Sequence, residues 1–347
     1  MQVVYTPQHA LHHPEHELEK SALQAPFEHP GRAETIRATL AADDRFVFTG
    51  PTEWGTVPIE AVHDRGLVGF LSTAWAEYQQ QCGPTHDVVP DVFAMEKLRQ
   101  GMSAATEPAK VSAQLGWWCY ETTTPLTEGT YVAARSAVDV ALTTAQLVLG
   151  GERAAYGLCR PPGHHASHGL YGGYCFFNNA AIAAHHIAVT TGTKVTVLDV
   201  DYHHGNGTQQ IFYDRDDVQF VSLHGDPARA YPYLVGHAEE TGTGRGAGCN
   251  LNIPLPARTD DDAYIEQLTR ACEAIGRFGP STLVVSLGLD TYVDDPICDL
   301  ALTTEGMQRC GALVAELALP TVVLQEGGYA DAALGENVRH WLLGAAG

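Results

Sequence analysis

Four short segments from residue 160 onward concentrate side chains that bind metals and move protons. They are Arg160-Pro-Pro-Gly-His164-His165, Asp199-Val-Asp201-Tyr-His203-His204-Gly-Asn206-Gly, Gly288-Leu-Asp290 and Glu326-Gly-Gly-Tyr329. Asp201 and His203 are two residues apart, so in extended backbone both side chains leave the same face. A carboxylate and an imidazole are ordinary zinc ligands, and Asp290 completes a set of three from a separate segment. Three protein ligands leave a coordination position for water and substrate, the arrangement of a catalytic site. Asp-x-His by itself reads better as a hydrogen-bonded loop pair. The twin histidines and Asp290 shift the reading to a metal centre for amide hydrolysis by metal-activated water.

Adjacent histidines serve as acid and base when a partner on the far ring nitrogen orients each of them. Asp199 is the expected partner of His164, and Asn206 that of His165. An aspartate partner raises imidazole basicity and an asparagine orients without adding charge, so the two rings should titrate differently. The expected division gives proton transfer to His165 and electrostatic support to His164. Tyr329, after two glycines, is the expected hydrogen-bond donor to the carbonyl oxygen as it becomes an oxyanion. A core tyrosine is the blander reading of the same residue.

The elements that must position these groups are apolar runs at Val3–Tyr5, Ala154–Leu158, Val195–Val200, Gln219–Leu223, Thr282–Leu287 and Thr321–Leu324. Their length and their Gly, Asp or Asn boundaries suit buried strands. Helical patterns lie between them at Ala133–Leu149, Asn179–Val189, Asp260–Phe278 with Thr259 as cap, and Thr303–Leu317 with Thr303 or Thr304 as cap. That alternation predicts an α/β protein with a mostly parallel central sheet flanked by helices on both faces. The loops after Leu158, Leu198, Leu223, Leu287 and Leu324 should converge on one side, where such sheets bind ligands. A single domain, residues 1–347, is expected. Its polar stretch from about 79 to 116 reads as an excursion that forms a site wall or an interface.

Composition narrows the partners. Forty-one Asp and Glu against 20 Lys and Arg give a formal charge of -21. Such a surface repels phosphate backbones, which argues against nucleic acid, and attracts cations; it reads equally as simple solubility or as a preference for cationic substrates. Eight cysteines without a CxxC pair read as reduced thiols. Met-Gln-Val-Val-Tyr has no basic region leading into a long apolar stretch, so no membrane association and a cytoplasmic setting are expected. His185-His186 reads as packing or surface, and His12-His13 with His16 as a solvated loop. Asp294-Asp295 and Asp216-Asp217 read as solvated carboxylates, and His224 as a neighbour of the site but no ligand.

On these residues the chain resembles the zinc-dependent deacetylases of the histone deacetylase superfamily, class II-like, and among them the acetylpolyamine amidohydrolases. The blocks that carry the likeness are Cys159 to Ala166, Gly172-Gly-Tyr-Cys-Phe-Phe-Asn-Asn179, Leu198 to Gln209, Ser222-Leu-His-Gly-Asp-Pro227 and Ser286-Leu-Gly-Leu-Asp290. The resemblance implies an arginase/deacetylase fold, with Zn2+ on Asp201, His203 and Asp290. Fe2+, Co2+ or Mn2+ would also suit that ligand set. It implies a structural K+ on Asp199, Asp201, His203, Ser222 and Leu223, and a second monovalent site near Phe212, Arg215 and Val218. It further implies that Tyr174 and Tyr231 are the walls of a narrow tunnel, and that the 79–116 insertion pairs two subunits in a homodimer. Glu17 matches one acidic residue with which the family's polyamine enzymes hold distal ammonium groups. Ser112 stands where they carry another, with Glu107 and Glu121 as candidate substitutes.

The function so implied is hydrolysis of N-acetylated polyamines, or related small acetylated alkylamines, to free amine and acetate. The alternative is an acetyl-lysine protein deacetylase of histone type, which would use the same chemistry behind a wider rim. A two-manganese ureohydrolase needs more ligands than the cluster offers. A binding protein without turnover would be favoured only if Tyr329 or His165 were missing.

Overall fold

The apolar runs form the middle of one eight-stranded sheet in which every pairing is parallel. The structure is a computed structural model that describes residues 1–102 and 106–346. Its strands are β1 (Gln2–Val4), β2 (Glu17–Glu19), β3 (Ala22–Gln24), β4 (Val47–Thr49), β5 (Ala154–Gly157), β6 (Val195–Asp199), β7 (Val218–Gly225), β8 (Asn250–Leu255), β9 (Thr282–Leu287) and β10 (Thr321–Gln325). The helices are α1 (Pro30–Ala41), α2 (Val57–Glu60), α3 (Arg65–Cys82), α4 (Val111–Trp118), α5 (Thr130–Leu149), α6 (Asn179–Thr191), α7 (Asn206–Phe212), α8 (Asp261–Phe278), α9 (Thr304–Ala315) and α10 (Asp331–Ala346).

The sheet order is β4-β1-β5-β10-β9-β6-β7-β8, with β2 and β3 forming a separate antiparallel hairpin. Side chains alternate between two cores. Val284, Val322 and Leu324 enter the core beneath α3 to α6, while Leu283, Val285, Leu287 and Val323 enter the core beneath α1 and α8 to α10. Both faces are therefore covered, as the unbroken apolar runs require. The six expected strands are present, and the edges β4 and β8 are additional. β4 has three residues, and β8 carries Asn250, Asn252 and Pro254, a composition an edge tolerates and a central strand does not.

Helix α8 illustrates how the sequence sets a boundary. Tyr264, Leu268, Ala271 and Ile275 share its buried face, and Gly279 ends it in the left-handed region at φ 68°. Its cap is Asp260, which accepts from the N–H of Ala263 at 3.1 Å; the expected cap, Thr259, bonds back to the carbonyl of Pro256 instead. Thr303 caps α9 through Gly306 N–H. Helix α5 has the length and apolar composition of a membrane span, yet 67% of its most apolar window is buried inside the protein. The stretch expected as an excursion starts inside α3 and ends inside α4, so its irregular part lies between these helices. Val92, Met95, Leu98 and Met102 in it are exposed. All eight cysteines are free.

Candidate active site

Strands β5, β10, β9 and β6 are consecutive in the sheet, and their C-terminal ends carry the four segments singled out above. Parallel pairing brings these ends to one edge, so residues more than a hundred positions apart meet there. The Nδ1 atom of His203 lies 2.9 Å from Oδ2 of Asp290 and 3.3 Å from Oδ1 of Asp201. Ligand atoms around a tetrahedral ion with bonds of roughly 2.0 Å stand about 3.3 Å apart, so this spacing fits a zinc-sized ion. The surroundings also fit. A Cβ on Gly327 would come within 2.6 Å of an oxygen of each aspartate, and one on Gly288 within 2.0 Å of Asp201. Both glycines leave room for the carboxylates to converge. The backbone holds them there: Gly327 N–H and His203 N–H donate to Asp201, and Tyr202 N–H donates to Asp290.

The electrostatics call for a cation. Burial lifts the Asp290 carboxyl to about 7, and the Asp201 charge adds to the effect. Burial disfavours a charged His203 too, but its bonds to Asp201 and Asp290 outweigh that and raise the imidazole to about 10. Two buried carboxylates this close resist ionising together unless positive charge lies between them. Cys298 also brings its sulfur within 4.8 Å of the His203 and Asp290 ligand atoms, a proximity that reading it as one more reduced thiol did not anticipate.

The twin histidines lie against each other, with ring centroids 4.0 Å apart and planes tilted by 44°. His164 donates from Nδ1 to Oδ2 of Asp199 at 3.0 Å, and His165 from Nδ1 to Oδ1 of Asn206 at 2.7 Å. Helix α7 fixes this geometry, because the N–H groups of Gly207 and Thr208 at its first turn both donate to the carbonyl of His164. The rings titrate in opposite directions. Burial works against a charged His164, but Asp199 and then Asp201 outweigh it and lift the ring to about 10. Burial, followed by the charges of His164 and His203, pushes His165 well below the ordinary histidine value.

Tyr329 stands on the loop after β10, with its ring 6.0 Å from that of Tyr174 and beneath the Arg32 guanidinium at 4.6 Å. Arg32 donates to the carbonyls of Glu326 and Gly328, and Glu28 pairs with both Arg32 and Arg160. This buried ionic link ties the loop of the twin histidines to the loop of the tyrosine. Glu326 accepts from the N–H of Gly163 at 2.6 Å, strengthening the same junction. Asp295 is buried and accepts from the N–H of Tyr329 at 2.7 Å, which corrects its reading as a solvated carboxylate. Arg32, Glu28 and Asp295 were not anticipated. Asp295 follows Asp290 by five residues, the one sequence cue to its place.

Tyr231 stands edge-on to His165, with centroids 5.0 Å apart. Glu17 is buried, not a surface carboxylate. It accepts from Gln24 at 2.8 Å, and burial raises its carboxyl against the bonds it receives from Gln24 and Tyr174. Ser112 lies in the first turn of α4, and no hydrogen bond ties it to the cluster among the described residues. Glu107 accepts from Trp118 and Gln114, and Glu121 from Gly173 N–H and the hydroxyls of Thr123 and Thr124. Glu121 is thus committed to holding the backbone. Asp199 and Ser222 are register partners on β6 and β7, with Leu223 next along, while Ser222 bonds His224 at 2.8 Å. Arg215 forks onto Asp217 and lies over the Phe212 ring, close to the start of β7 at Val218. His12 is buried against Thr130 and Phe176, contrary to its reading as part of a solvated loop.

Comparison with known proteins places this geometry in context. The family model described as "Histone deacetylase domain" matches residues 26–345. Acetylpolyamine amidohydrolase 1 of Pseudomonas aeruginosa is 42% identical over 344 residues, 99% of this chain and 98% of its own length. The acetylpolyamine amidohydrolase of Mycoplana ramosa is 40% identical over the whole of both chains. The crystal structure of acetylpolyamine aminohydrolase from Burkholderia pseudomallei superposes with a TM-score of 0.91 at 39% identity, covering 99% of this chain and 98% of that one. It shares the parallel sheet and flanking helices described above.

Proposed function

Because the chain belongs to the histone deacetylase domain family and has its arginase/deacetylase fold, we propose that it hydrolyses N-acetylated polyamines or related small acetylated alkylamines to free amine and acetate. The observation that carries this reading is the convergence of the Asp201, His203 and Asp290 ligand atoms beside two oppositely titrating histidines. The substrate class follows from full-length similarity to acetylpolyamine amidohydrolases. The acidic net charge and buried Glu17 suit an amine with a distal ammonium.

Asp201, His203 and Asp290 would hold Zn2+, which when bound polarises the amide carbonyl and acidifies water. His165 donates its Nδ1 proton to Asn206, so in the neutral ring Nε2 is the basic atom. It takes the proton from the attacking water and returns it to the leaving amine. His164 stays charged through Asp199 and supplies fixed positive potential to the developing negative charge. The Tyr329 hydroxyl donates to the oxyanion, and that bond strengthens as the tetrahedral state forms. A structural K+ at Asp199, Asp201, His203, Ser222 and Leu223, a second monovalent site near Phe212, Arg215 and Val218, and pairing of two subunits through the insertion at about 79–116 belong to the same proposal.

The test is kcat/KM of the zinc-loaded protein on N-acetylputrescine, N-acetylcadaverine, N8-acetylspermidine and an acetyl-lysine peptide, with bound metal measured in parallel for His203→Ala. Preference for the small amines and loss of metal in the variant are expected. Preference for the peptide would replace the substrate reading with a protein deacetylase. Unchanged metal in the variant would overturn the ligand set.

A further inference from the structure

Two phenols meet beside the catalytic histidine. The Tyr231 hydroxyl donates to the hydroxyl of Tyr120 at 2.7 Å. Tyr231 itself stands edge-on to both His165 and His203, with centroids 5.0 and 6.1 Å away. It belongs to the long connection between β7 and β8, where its neighbours Tyr233 and Leu234 are exposed. A ring on such a loop needs an anchor from elsewhere to keep one orientation.

Tyr120 comes from just beyond α4 and is itself held. Its ring occupies the space over Gly172, where a Cβ would come within 2.5 Å of the Tyr120 ring. On one side, Trp118 accepts from Tyr171 N–H at 2.8 Å. On the other, Glu121 accepts from Gly173 N–H at 3.0 Å, and the Thr124 hydroxyl oxygen accepts from Tyr174 N–H at 2.8 Å. These bonds hold Tyr174 in the left-handed region at φ 66°, a conformation that a side chain adopts only when its surroundings impose it. The segment Trp118–Thr124 is thus fastened to the turn bearing Tyr174 and reaches Tyr231 through the phenol pair.

We infer that Tyr120 is a specificity-determining positioning residue, tying together the two aromatic side chains that flank the centre and so setting the gap through which the substrate's alkyl chain passes. Tyr231 cannot swing outward without breaking this bond and leaving a half-buried hydroxyl unpaired. The gap therefore stays narrow, favouring an unbranched amine over a lysine carried on a polypeptide. This inference rests on the amide-hydrolase reading.

Tyr120→Phe removes one oxygen and leaves the ring over Gly172 in place. The ratio of kcat/KM for the acetyl-lysine peptide to that for N-acetylputrescine should rise about three- to tenfold, the range one net hydrogen bond spans. The change should appear in KM, with kcat for the small substrate nearly unaltered. Tyr231→Phe should shift the ratio equally, and the double variant no further, because all three lose the same bond. An unchanged ratio, or additive effects in the double variant, would overturn the inference. Crystal structures of the wild type and Tyr120→Phe supply an arm independent of turnover. A displaced or disordered Tyr231 ring supports the role, and a ring still 5.0 Å from His165 removes it. Wild-type protein inert on every acetylated amine would sink the hydrolase reading alone, leaving the crystallographic arm to decide the Tyr120 role.

Discussion

The backbone N–H of Tyr329 donates to a carboxylate oxygen of Asp295 at 2.7 Å, and the other Asp295 oxygen accepts from Ile297 N–H at 3.1 Å. One buried side chain thereby fixes the loop that aims the tyrosine hydroxyl. Asp295→Ala should lower kcat about 10- to 100-fold, the loss of a hydrogen bond to a charged acceptor, while bound metal is retained. Tyr329→Phe sets the ceiling at about 10²- to 10³-fold. Single-turnover rates and metal analysis check both. Normal turnover in Asp295→Ala would mean that the loop holds itself.

His165 leans on an uncharged partner. Asn206→Asp would place a carboxylate at Nδ1 and raise the pKa of the ring, so its base form would be lost at higher pH. The acid limb of kcat/KM should move up by about one to three units, the effect of an opposite charge at contact distance. A limb that stays in place would assign it to another group.

Glu17 is buried next to Tyr174 and has no cationic partner among the described residues. Glu17→Gln should raise KM for N-acetylputrescine about tenfold or more, as expected for losing a charged hydrogen bond, and leave a neutral N-alkylacetamide unaffected. Equal changes for both substrates would limit Glu17 to packing.

Glu28 joins Arg160 and Arg32 inside the protein. Burial opposes its ionisation, but the two arginines outweigh that and hold the carboxyl at about 2, against 4.5 in the unfolded chain. A carboxyl depressed by folding contributes stability that is complete above the unfolded value and is lost as pH falls to the folded one. The contribution at pH 7 is roughly 3 kcal/mol. Urea denaturation should find Glu28→Gln destabilised by about that amount at pH 7, with the difference closing between pH 4.5 and 2. A gap independent of pH would point to a purely steric loss.

The cluster of Asp201, His203 and Asp290 and the twin histidines were legible as neighbours because their pattern is written locally. Asp201 and His203 share one strand end, and the apolar runs before them declare which end. Asp295 and His12 were misread because polar residues beside exposed neighbours look solvated until a distant backbone closes over them. Arg32 was silent for the same reason: its acceptors at Glu326 and Gly328 lie almost 300 positions away. Glu121 appeared available for substrate, but the turn at Gly173 claims its carboxylate. The edges β4 and β8 escaped notice because an edge strand has no need of an unbroken apolar run.

β10 is the last strand in the chain, yet it inserts between β5 and β9 near the middle of the sheet. Until β10 has left the ribosome, β4-β1-β5 and β9-β6-β7-β8 are two half-sheets with open edges facing each other. Such edges invite aggregation. The strand that joins them also delivers Glu326 and Tyr329. Shortening the chain before β10 would therefore not trim a margin but would divide the molecule, and no nascent intermediate can hold a complete catalytic centre.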